Sequence, residues 1–384
     1  MTPRVLFVES DAPSFLHHRI ATANGVRSAG CEVHVAAPDA EARAGIERLG
    51  FTFHPVPFSR GSTSPLAEAA TLRALHALYA RLSPGLVHHV ALKPVLYGTL
   101  AARLARVPAI VNGVTGLGYL FTEGSARAAL IRSVFVRVAR PVLAGANALT
   151  SFENSDDLAA FERLGLVRPG RAVLIHGTGV DTQAYRPSPE APGTPVVTLA
   201  TRMLWEKGVG TFVEAARLLR AGGTAARMVL VGDPDPENPR SVPRERLQAW
   251  HDEGVVEWWG FRADMPRVLE SSHVVVLPTS YREGVPRILI EAAACGRPAV
   301  TTDRPGCRDI VRDGENGLLV PVDDARALAA AISRLVASPD LRARMGARGR
   351  AIVEEAFAQE HVVAATLAMY ARLLPGFDER KSAA

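Results

Sequence analysis

The sequence predicts an α/β protein made of two doubly wound domains, each built around a parallel sheet. Three observations lead to this fold class. At 384 residues the chain is too long for a single hydrophobic core. Short apolar, β-branched runs alternate with helical patterns along its whole length. A proline-rich stretch near the middle divides these runs into two sets of about six.

The predicted strands follow one another in a regular order. The first set is "RVLFVES", "EVHVAAP", "GLVHHVAL", "PAIVNGV", "NALTSF" and "AVLIHGT". The second set is "VVTLATR", "RMVLVGD", "VVEWWGF", "HVVVLPT", "PAVTTD" and "GLLVPV". Helical patterns lie between successive strands, which is typical of parallel sheets with helices on both faces.

The segment from Tyr185 to Pro195, "YRPSPEAPGTP", is predicted to be the interdomain linker because its prolines cannot continue either sheet. We therefore place the domains at residues 1–187 and 188–360. The last helical pattern, His361 to Leu374, has no strand after it. Residues 361–384 are predicted to pack on the second domain or to cross back to the first, followed by a polar tail.

The composition indicates a globular protein of a reducing compartment. Hydrophobic residues make up 48% and charged residues 22%, and no run of 18 apolar residues is present to span a bilayer. The start, "MTPRVLFVESD", lacks the pattern of a signal peptide, so a cytoplasmic location is expected. Cys31, Cys295 and Cys307 have neither metal-ligand spacing nor a disulfide framework.

The basic residues are almost all arginines. The net charge is +5, yet only Lys93, Lys207 and Lys381 are lysines among 44 basic residues. Lys381 lies in the polar tail. Because an ammonium is a compact point charge on a slim stem, Lys93 and Lys207 are candidates for sites that a planar guanidinium would not fit.

Ligands of open α/β sheets bind beyond the carboxyl ends of the strands, so two such domains are expected to form a cleft between them. The first strand-to-helix loop, "ESDAPSFLHHR", is not G-x-G-x-x-G. This difference argues against an ordinary dinucleotide site in the first half.

The stretch "YREGVPRILIEAAACGRPAV" carries two glutamates eight positions apart. Pro286 suits a first helical turn, and Cys295 with Gly296 suits the end of that helix. Glu283 would then lie near free N–H groups at the helix start, which favour an anion or a sugar hydroxyl network. Glu291 would lie among apolar residues, where a ribose diol is one suitable partner. An alternative stays open: Glu283 caps the helix and Glu291 pairs with Arg287 at i,i+4.

A second motif, "ATRMLWEKG", follows the first strand of the second half. Arg202 and Lys207 bracket a tight loop that opens a helix. Cations at a helix start oppose its dipole, and a bound diphosphate relieves that conflict. The alternative is a pair of solvated surface charges.

The combination of Arg202-x4-Lys207-Gly208 with Glu283-x7-Glu291 resembles the retaining nucleotide-sugar glycosyltransferases of family 4, which have the GT-B architecture of two facing Rossmann-like domains. The resemblance extends over the whole chain, including "GTGVDTQAYRP" and "NGLLVPVDDARALAAAI". It implies that Arg202 and Lys207 hold a donor diphosphate and that Glu291 binds the ribose. The remaining donor contacts that it implies are Glu283, Gly284, Val285 and Pro286 for the sugar, and Phe261 and Arg262 for the base.

The first domain is expected to bind the acceptor. "HHVALKPVLYG" and "NGVTGLGYLF" follow predicted strands and suit ligand-facing loops. Family members often carry H-x-H in the former segment, where this chain has Val90 at the second position, so Lys93 is the preferred active-site cation. The predicted acceptor-binding residues are His17, His18, Arg19, Lys93, Gly116, Gly118 and Tyr119. The alternatives are a flexible loop and ordinary surface residues.

Residues 125–145 form a basic amphipathic segment with Arg127, Arg132, Arg137 and Arg140 among apolar residues. Such a segment suits the inner face of the cytoplasmic membrane, and it equally suits a core helix with a solvated face. Within family 4 the resemblance is greatest to enzymes that elongate undecaprenyl-diphosphate-linked sugars, notably bacterial α-1,3-N-acetylgalactosaminyltransferases. It implies a UDP-sugar donor and a lipid-linked saccharide acceptor, with no metal cofactor and no nucleic acid partner.

Two rival functions are compatible with the sequence. A UDP-N-acetylglucosamine 2-epimerase is an isomerase with the same two-domain architecture, and a glycosyltransferase with a soluble acceptor shares every donor motif. A two-lobed solute-binding protein is disfavoured by the missing signal peptide and the paired cations. The "DPDPEN" run, Asp233 to Asn238, contains D-x-D, and we interpret it as a loop rather than a metal site.

Overall fold

The computed structural model describes residues 2–38, 40–58, 64–117 and 126–377. The chain divides into two compact units. Unit 1 comprises Met1–Thr178 together with Gln359–Ala384, and unit 2 comprises Gly179–Ala358. Each unit contains one parallel sheet with helices on both faces, so the predicted doubly wound α/β class is confirmed.

Unit 1 has a seven-stranded sheet in the order β3-β2-β1-β4-β5-β6-β7, with every pair parallel. Its strands are β1 (Arg4–Val8), β2 (Glu32–Ala37), β3 (Thr52–Pro55), β4 (Leu86–Val90), β5 (Ala109–Val114), β6 (Ala148–Phe152) and β7 (Ala172–Leu174). The chain winds from β1 toward β3, then returns past β1 to continue on the other side. The direction of winding therefore reverses between β1 and β4, where doubly wound sheets place their ligands.

The helices of unit 1 cover both faces of this sheet. They are α1 (Ala12–His18), α2 (Ile20–Ser28), α3 (Arg43–Arg48), α4 (Pro65–Leu82), α5 (Leu92–Leu104), α6 (Ala126–Leu143), α7 (Ser155–Arg163) and α15 (Gln359–Ala371). Alternate residues of β1 enter opposite cores, because side chains alternate across a strand. Phe7 packs in the core that contains Tyr370 of α15, whereas Leu6 packs in the core that contains Tyr79 of α4.

Unit 2 has a six-stranded parallel sheet in the order β10-β9-β8-β11-β12-β13. Its strands are β8 (Val196–Ala200), β9 (Arg227–Val231), β10 (Glu257–Trp258), β11 (Val274–Leu277), β12 (Ala299–Thr302) and β13 (Gly317–Val320). The winding reverses between β8 and β11. The helices are α8 (Val209–Ala221), α9 (Arg244–Asp252), α10 (Met265–Ser271), α11 (Arg287–Ala294), α12 (Cys307–Ile310), α13 (Ala325–Val336) and α14 (Pro339–Ile352).

The predicted linker from Tyr185 to Pro195 belongs to unit 2, so the predicted boundary at residue 187 is wrong by nine residues. Two buried arginines fix this segment to the unit. Arg342 donates to both carboxylate oxygens of Glu190, at 2.8 and 2.6 Å, and Arg297 donates to Ser188 Oγ at 2.8 Å. The prolines do keep the segment out of both sheets, but side-chain anchoring rather than sheet pairing decides which unit it joins.

The chain passes back to unit 1 after Ala358, so the C-terminal helix α15 packs with the first unit. A Cβ placed on Gly25 of α2 would lie only 2.9 Å from Val363 Cγ1 of α15, which shows how closely the two helices approach. Leu367 and Tyr370 of α15 are buried in the same core as Phe7. The crossing-back alternative is the one that the structure adopts.

The strand β3 was absent from the predicted set. Only four residues long, it lies at the edge of the sheet, contains His54 and ends at Pro55, so its apolar signal is weak. The predicted strand "VVEWWGF" is reduced to the two residues of β10.

Candidate functional site

The two donor motifs flank the point where the winding of unit 2 reverses. Arg202 and Lys207 follow β8, and Glu283 follows β11. These strands are neighbours in the sheet, with Val197 opposite Val274. Because the carboxyl ends of parallel strands share one edge, motifs 76 residues apart in the sequence meet there.

Backbone contacts hold these two loops against each other. The carbonyl oxygen of Glu206 accepts from Thr279 Oγ1 at 3.0 Å and from the backbone N–H of Ser280 at 2.9 Å. Gly208 has φ +79°, and a Cβ there would lie 2.1 Å from the carbonyl oxygen of Pro278. Glycine is therefore required immediately after Lys207, because only glycine allows this turn to pack so closely on the β11 loop.

Lys207 and Glu283 form a salt bridge between the two loops. The side chains of Lys207 and Glu283 are only 14% and 11% exposed. Thr279 Oγ1 lies 3.2 Å from the same carboxylate oxygen, and the ammonium lies 5.6 Å from the centre of the Tyr281 ring. The predicted diphosphate cation and the predicted sugar-binding carboxylate are thus in direct contact and held by surrounding groups.

Arg202 lies at the more open side of this site, with its side chain 57% exposed. Its Nη1 donates to Asp235 Oδ2 at 2.7 Å. Asp235 belongs to the "DPDPEN" run, which forms a loop after β9 rather than part of a strand or helix. Among the described residues, no cluster of three or more His, Cys, Asp or Glu side chains has a geometry suited to a metal ion.

Glu291 lies in the second turn of α11, is only 6% exposed and accepts from Arg287 Nε at 2.7 Å. The i,i+4 pair left open by the sequence is therefore present. Tyr185 also interacts with this carboxylate: burial, and then the charge of Glu291, raises the pKa of its hydroxyl. Tyr185, which lies more than 100 positions before Glu291, was not among the predicted site residues.

The segment from Glu283 to Pro286 leads into α11, with Pro286 at the N-cap position rather than inside the first turn. Val285 is 7% exposed. A Cβ on Gly306 would overlap the carbonyl oxygen of Gly284, at 1.4 Å, and Gly306 has φ +80°. The backbone N–H of Gly306 donates to Asp309 Oδ2 at 3.0 Å. Gly306, which sequence reasoning missed, therefore supports the loop that was predicted to bind the sugar.

The predicted base-contacting residues lie in the loop after β10. Phe261 is 67% exposed. Arg262 makes a bidentate salt bridge with Asp264, in which Nε and Nη2 donate to the two carboxylate oxygens at 2.8 and 2.7 Å. Their role remains a prediction.

In unit 1 the predicted residues His17 and His18 form the last turn of α1, and Arg19 separates α1 from α2. Arg19 is only 9% exposed and lies 3.6 Å from Glu9, the residue that follows β1. Glu9 is 1% exposed, and burial raises its pKa to about 8 against the opposing effect of Arg19. Its position next to the reversal of winding, between β1 and β4, makes Glu9 a functional candidate that the sequence did not reveal.

Lys93 lies in the first turn of α5, after β4, and donates to Glu68 Oε1 at 2.8 Å. Gly116 has φ +124°, which suits glycine alone. Gly118 and Tyr119, also predicted to bind the acceptor, lie outside the described residues. The segment that resembles H-x-H instead contains the buried pair His88 and His89.

Both histidines make internal hydrogen bonds. His88 Nδ1 lies 2.6 Å from the Tyr370 hydroxyl, and His89 Nδ1 lies 2.9 Å from Asn112 Oδ1. Burial lowers the pKa of each imidazole, so both are neutral at physiological pH. Their contacts assign them to the interior of unit 1.

The basic amphipathic segment forms α6. Ala139 and Leu143 are buried in a core with Phe161. On the outer surface Leu130 is 67% and Val138 is 51% exposed, and Arg137 and Arg140 are exposed as well. The side chain of Arg127 lies outside the described set. Within the part of the chain that the structure describes, no helix combines the length and apolar character needed to cross a bilayer.

Comparison with known proteins links both units to one class of enzyme. A family model described as "Glycosyl transferase 4-like" matches residues 4–151, and one described as "Glycosyl transferases group 1" matches residues 194–338. The N,N'-diacetylbacillosaminyl-diphospho-undecaprenol alpha-1,3-N-acetylgalactosaminyltransferase of Campylobacter jejuni is 28% identical over 352 residues, which cover 88% of this chain and 91% of that protein.

Two further proteins are similar over nearly the full length. The putative glycosyltransferase EpsD of Bacillus subtilis is 29% identical over 366 residues, covering 91% of this chain and 92% of EpsD. The crystal structure of HepE from Anabaena, in complex with UDP and glucose, aligns with a TM-score of 0.76 at 21% identity, covering 96% of this chain and 99% of that one. The structural likeness shows the GT-B fold, as predicted.

Proposed function

Because the chain belongs to the family 4 glycosyltransferases, we propose that it transfers a sugar, an N-acetylhexosamine such as GalNAc, from a UDP-sugar to a lipid-linked saccharide. The single observation that carries the donor half of this proposal is the Lys207–Glu283 salt bridge at the reversal of winding in unit 2. A cation and a carboxylate meet there, beside the N-terminal end of α11, at the edge of the sheet that suits a ligand.

Each donor residue has a chemical task in this proposal. The Lys207 ammonium and the exposed Arg202 guanidinium neutralise the diphosphate, and Arg202 exchanges its contact with Asp235 for a phosphate oxygen. Glu283 and the backbone N–H groups of Gly284 and Val285 bind the hydroxyls of the transferred sugar. Phe261 and Arg262 contact the base, and Glu291 accepts from the ribose hydroxyls.

The proposed reaction breaks the bond between the sugar C1 and the diphosphate oxygen and forms a bond from C1 to an acceptor hydroxyl oxygen. The bonding electrons leave with the diphosphate, and the hydroxyl proton passes to a diphosphate oxygen on the same face, so the configuration at C1 is retained. Charge on the leaving diphosphate grows along this path. Lys207 and Arg202 stabilise that charge, a task that a metal ion performs in other transferases.

We assign the acceptor to unit 1. Lys93 and Gly116 follow β4 and β5 directly, at the carboxyl edge of the sheet, and His17 and His18 lie in the last turn of the helix that follows β1. A lipid-linked acceptor requires the enzyme to work at a membrane surface. The outer face of α6 supports this requirement, because Leu130 and Val138 are exposed beside Arg137 and Arg140.

The proposal is tested by incubating the protein with a panel of UDP-sugars and a short-chain polyprenyl-diphosphate saccharide, with product masses as the readout. Addition of one hexosamine mass to the lipid-linked saccharide is the expected result. Omitting the acceptor is the necessary control, because conversion of UDP-N-acetylglucosamine into an epimer without acceptor would establish the isomerase instead. If the protein transfers sugar only to soluble acceptors, the proposed donor site stands and the proposed lipid-linked acceptor is wrong.

A further inference from the structure

The segment Gly177–Pro187, "GTGVDTQAYRP", has no role in the proposed chemistry, although it is part of the family resemblance. Its one aromatic residue, Tyr185, packs against two apolar clusters of unit 2, one of which contains Leu289 and the other Ala292 of α11. The Tyr185 hydroxyl interacts with the carboxylate of Glu291 and the guanidinium of Arg287. Tyr185 therefore links a distant segment to the predicted ribose-binding residue.

The backbone on both sides of this contact is fixed by one arginine. Arg350 Nη1 donates to the carbonyl oxygen of Tyr185 at 2.8 Å and to that of Thr182 at 3.2 Å. The same nitrogen donates to the carbonyl oxygen of Ala294, the last residue of α11, at 2.9 Å. Arg350 therefore ties the backbone of the segment to the backbone of α11. This contact holds Tyr185 near Glu291 independently of the side chains of Tyr185 and Glu291.

The carboxylate of Glu291 has more hydrogen-bonding capacity than its protein partners use. An ionised carboxylate offers about four lone-pair positions. Arg287 Nε occupies one of them at 2.7 Å, and the Tyr185 hydroxyl is suited to a second. The remaining positions match the two adjacent hydroxyl donors of a ribose.

We propose that Tyr185 is a positioning residue for nucleotide recognition: its hydroxyl, together with Arg287, holds the Glu291 carboxylate in the orientation that accepts from the ribose hydroxyls. This proposal rests on the proposed donor-binding role of Glu291. Its consequence is selectivity, because a hydrogen-bond acceptor held in a fixed position discriminates strongly against a nucleotide that lacks the matching hydroxyl group. Tyr185 thus contributes to the preference for a ribonucleotide over a 2′-deoxyribonucleotide.

The test compares the binding of UDP and 2′-deoxy-UDP by calorimetry, which requires no knowledge of the acceptor. Tyr185→Phe removes the hydroxyl and keeps the ring that packs in the core. We expect this variant to bind UDP about five- to tenfold more weakly and 2′-deoxy-UDP, which keeps one of the two hydroxyl donors, by a smaller factor, so that the ratio of the two affinities falls. Tyr79→Phe is the matched control, because the Tyr79 hydroxyl contacts a buried histidine of unit 1 and its loss should leave the ratio unchanged.

Glu291→Gln, measured in parallel, separates failure of this proposal from failure of the proposed function. A ratio that falls in Glu291→Gln and stays at the wild-type value in Tyr185→Phe overturns the role of Tyr185 alone. Equal weakening of both ligands by Tyr185→Phe also overturns it, because a purely structural role acts on both. If Glu291→Gln leaves the ratio unchanged, or if the wild-type protein does not bind UDP, the assignment of the donor site is itself wrong.

Discussion

Lys207 and Glu283 join two loops that follow different strands of unit 2, and both charges are largely shielded from solvent. Because the ammonium is proposed to stabilise charge that develops on the diphosphate, Lys207→Ala should lower kcat on the order of a hundredfold. KM for the UDP-sugar should rise by a smaller factor, since the interaction is strongest in the transition state. Initial rates over a range of donor concentrations provide the measurement.

Lys207→Arg is the matched variant for this prediction. It keeps the positive charge, but a planar guanidinium does not fit a site that is only 14% exposed beside Tyr281. We expect less than a tenth of the wild-type kcat to remain. Full activity of Lys207→Arg would mean that any cation suffices, and full activity of Lys207→Ala would remove Lys207 from the mechanism.

Gly306 should be as sensitive to substitution as the charged residues. Gly306→Ala would place a Cβ 1.4 Å from the carbonyl oxygen of Gly284, so the loop predicted to bind the sugar must move. We expect UDP-sugar binding to weaken at least about tenfold.

Gly314→Ala is the control, because Gly314 has a similar φ of +76° with no heavy atom within 4 Å of the added Cβ. It should cost about 1 kcal/mol of stability and leave binding unchanged; equal effects of the two variants would show that backbone strain alone is responsible.

The fold was largely predictable because strand and helix patterns are local. The apolar runs identified twelve strands, and parallel pairing follows from their alternation with helices. The edge strand β3 and the unit boundary were not predicted. The boundary depends on contacts between residues more than 100 positions apart, such as Arg342 with Glu190, and no local pattern encodes them.

The candidate site was predictable to the extent that its residues belong to short motifs. Lys207 and Glu283 were each recognised from their own loop, and the structure brings them together. Tyr185, Gly306 and Glu9 were not predicted as site residues, because no local pattern in the sequence encodes the contacts that they make. Their importance comes from tertiary neighbours: a carboxylate on α11, the carbonyl oxygen of Gly284 and the guanidinium of Arg19.

The outer face of α6 should bind anionic membranes. Vesicles of phosphatidylglycerol and phosphatidylcholine should retain the wild-type protein, and binding should weaken at high salt because the exposed arginines supply the attraction. Replacing both Leu130 and Val138 with Gln should lower the partition coefficient about tenfold or more, since two apolar side chains no longer enter the interface. Flotation on a density gradient measures the effect.

Leu66→Gln is the matched control for α6, because Leu66 is an exposed leucine of the same unit, on α4, at 83% exposure. It should leave vesicle binding unchanged. Equal losses from Leu66→Gln and from the α6 double variant would locate the membrane contact elsewhere, and equal binding to neutral vesicles would exclude a role for the arginines.

Glu9 should make unit 1 less stable as the pH rises. Burial raises the pKa of its carboxyl from the ordinary 4.5 to about 8, so the folded state holds the proton more tightly than the unfolded state does. The penalty is absent below pH 4.5, grows as the pH rises and is complete above pH 8. At about 1.4 kcal/mol per pKa unit it amounts to at most about 5 kcal/mol. Glu9→Gln, which stays neutral, should therefore gain stability over the wild type between pH 5 and pH 9.

The probe for this prediction must report on unit 1. All four tryptophans, at positions 205, 250, 258 and 259, lie in unit 2, so intrinsic tryptophan fluorescence would follow the wrong unit. Hydrogen exchange of peptides from β1 and β4, at pH 5 and pH 9 with rates corrected for intrinsic exchange, measures the opening of the correct sheet.

Glu47→Gln, at a half-exposed carboxylate on α3, should show the same protection as the wild type at both pH values. If Glu9→Gln also matches the wild type at pH 9, the Glu9 carboxylate carries no penalty for its burial, and Arg19 must then compensate its charge fully despite the 3.6 Å separation.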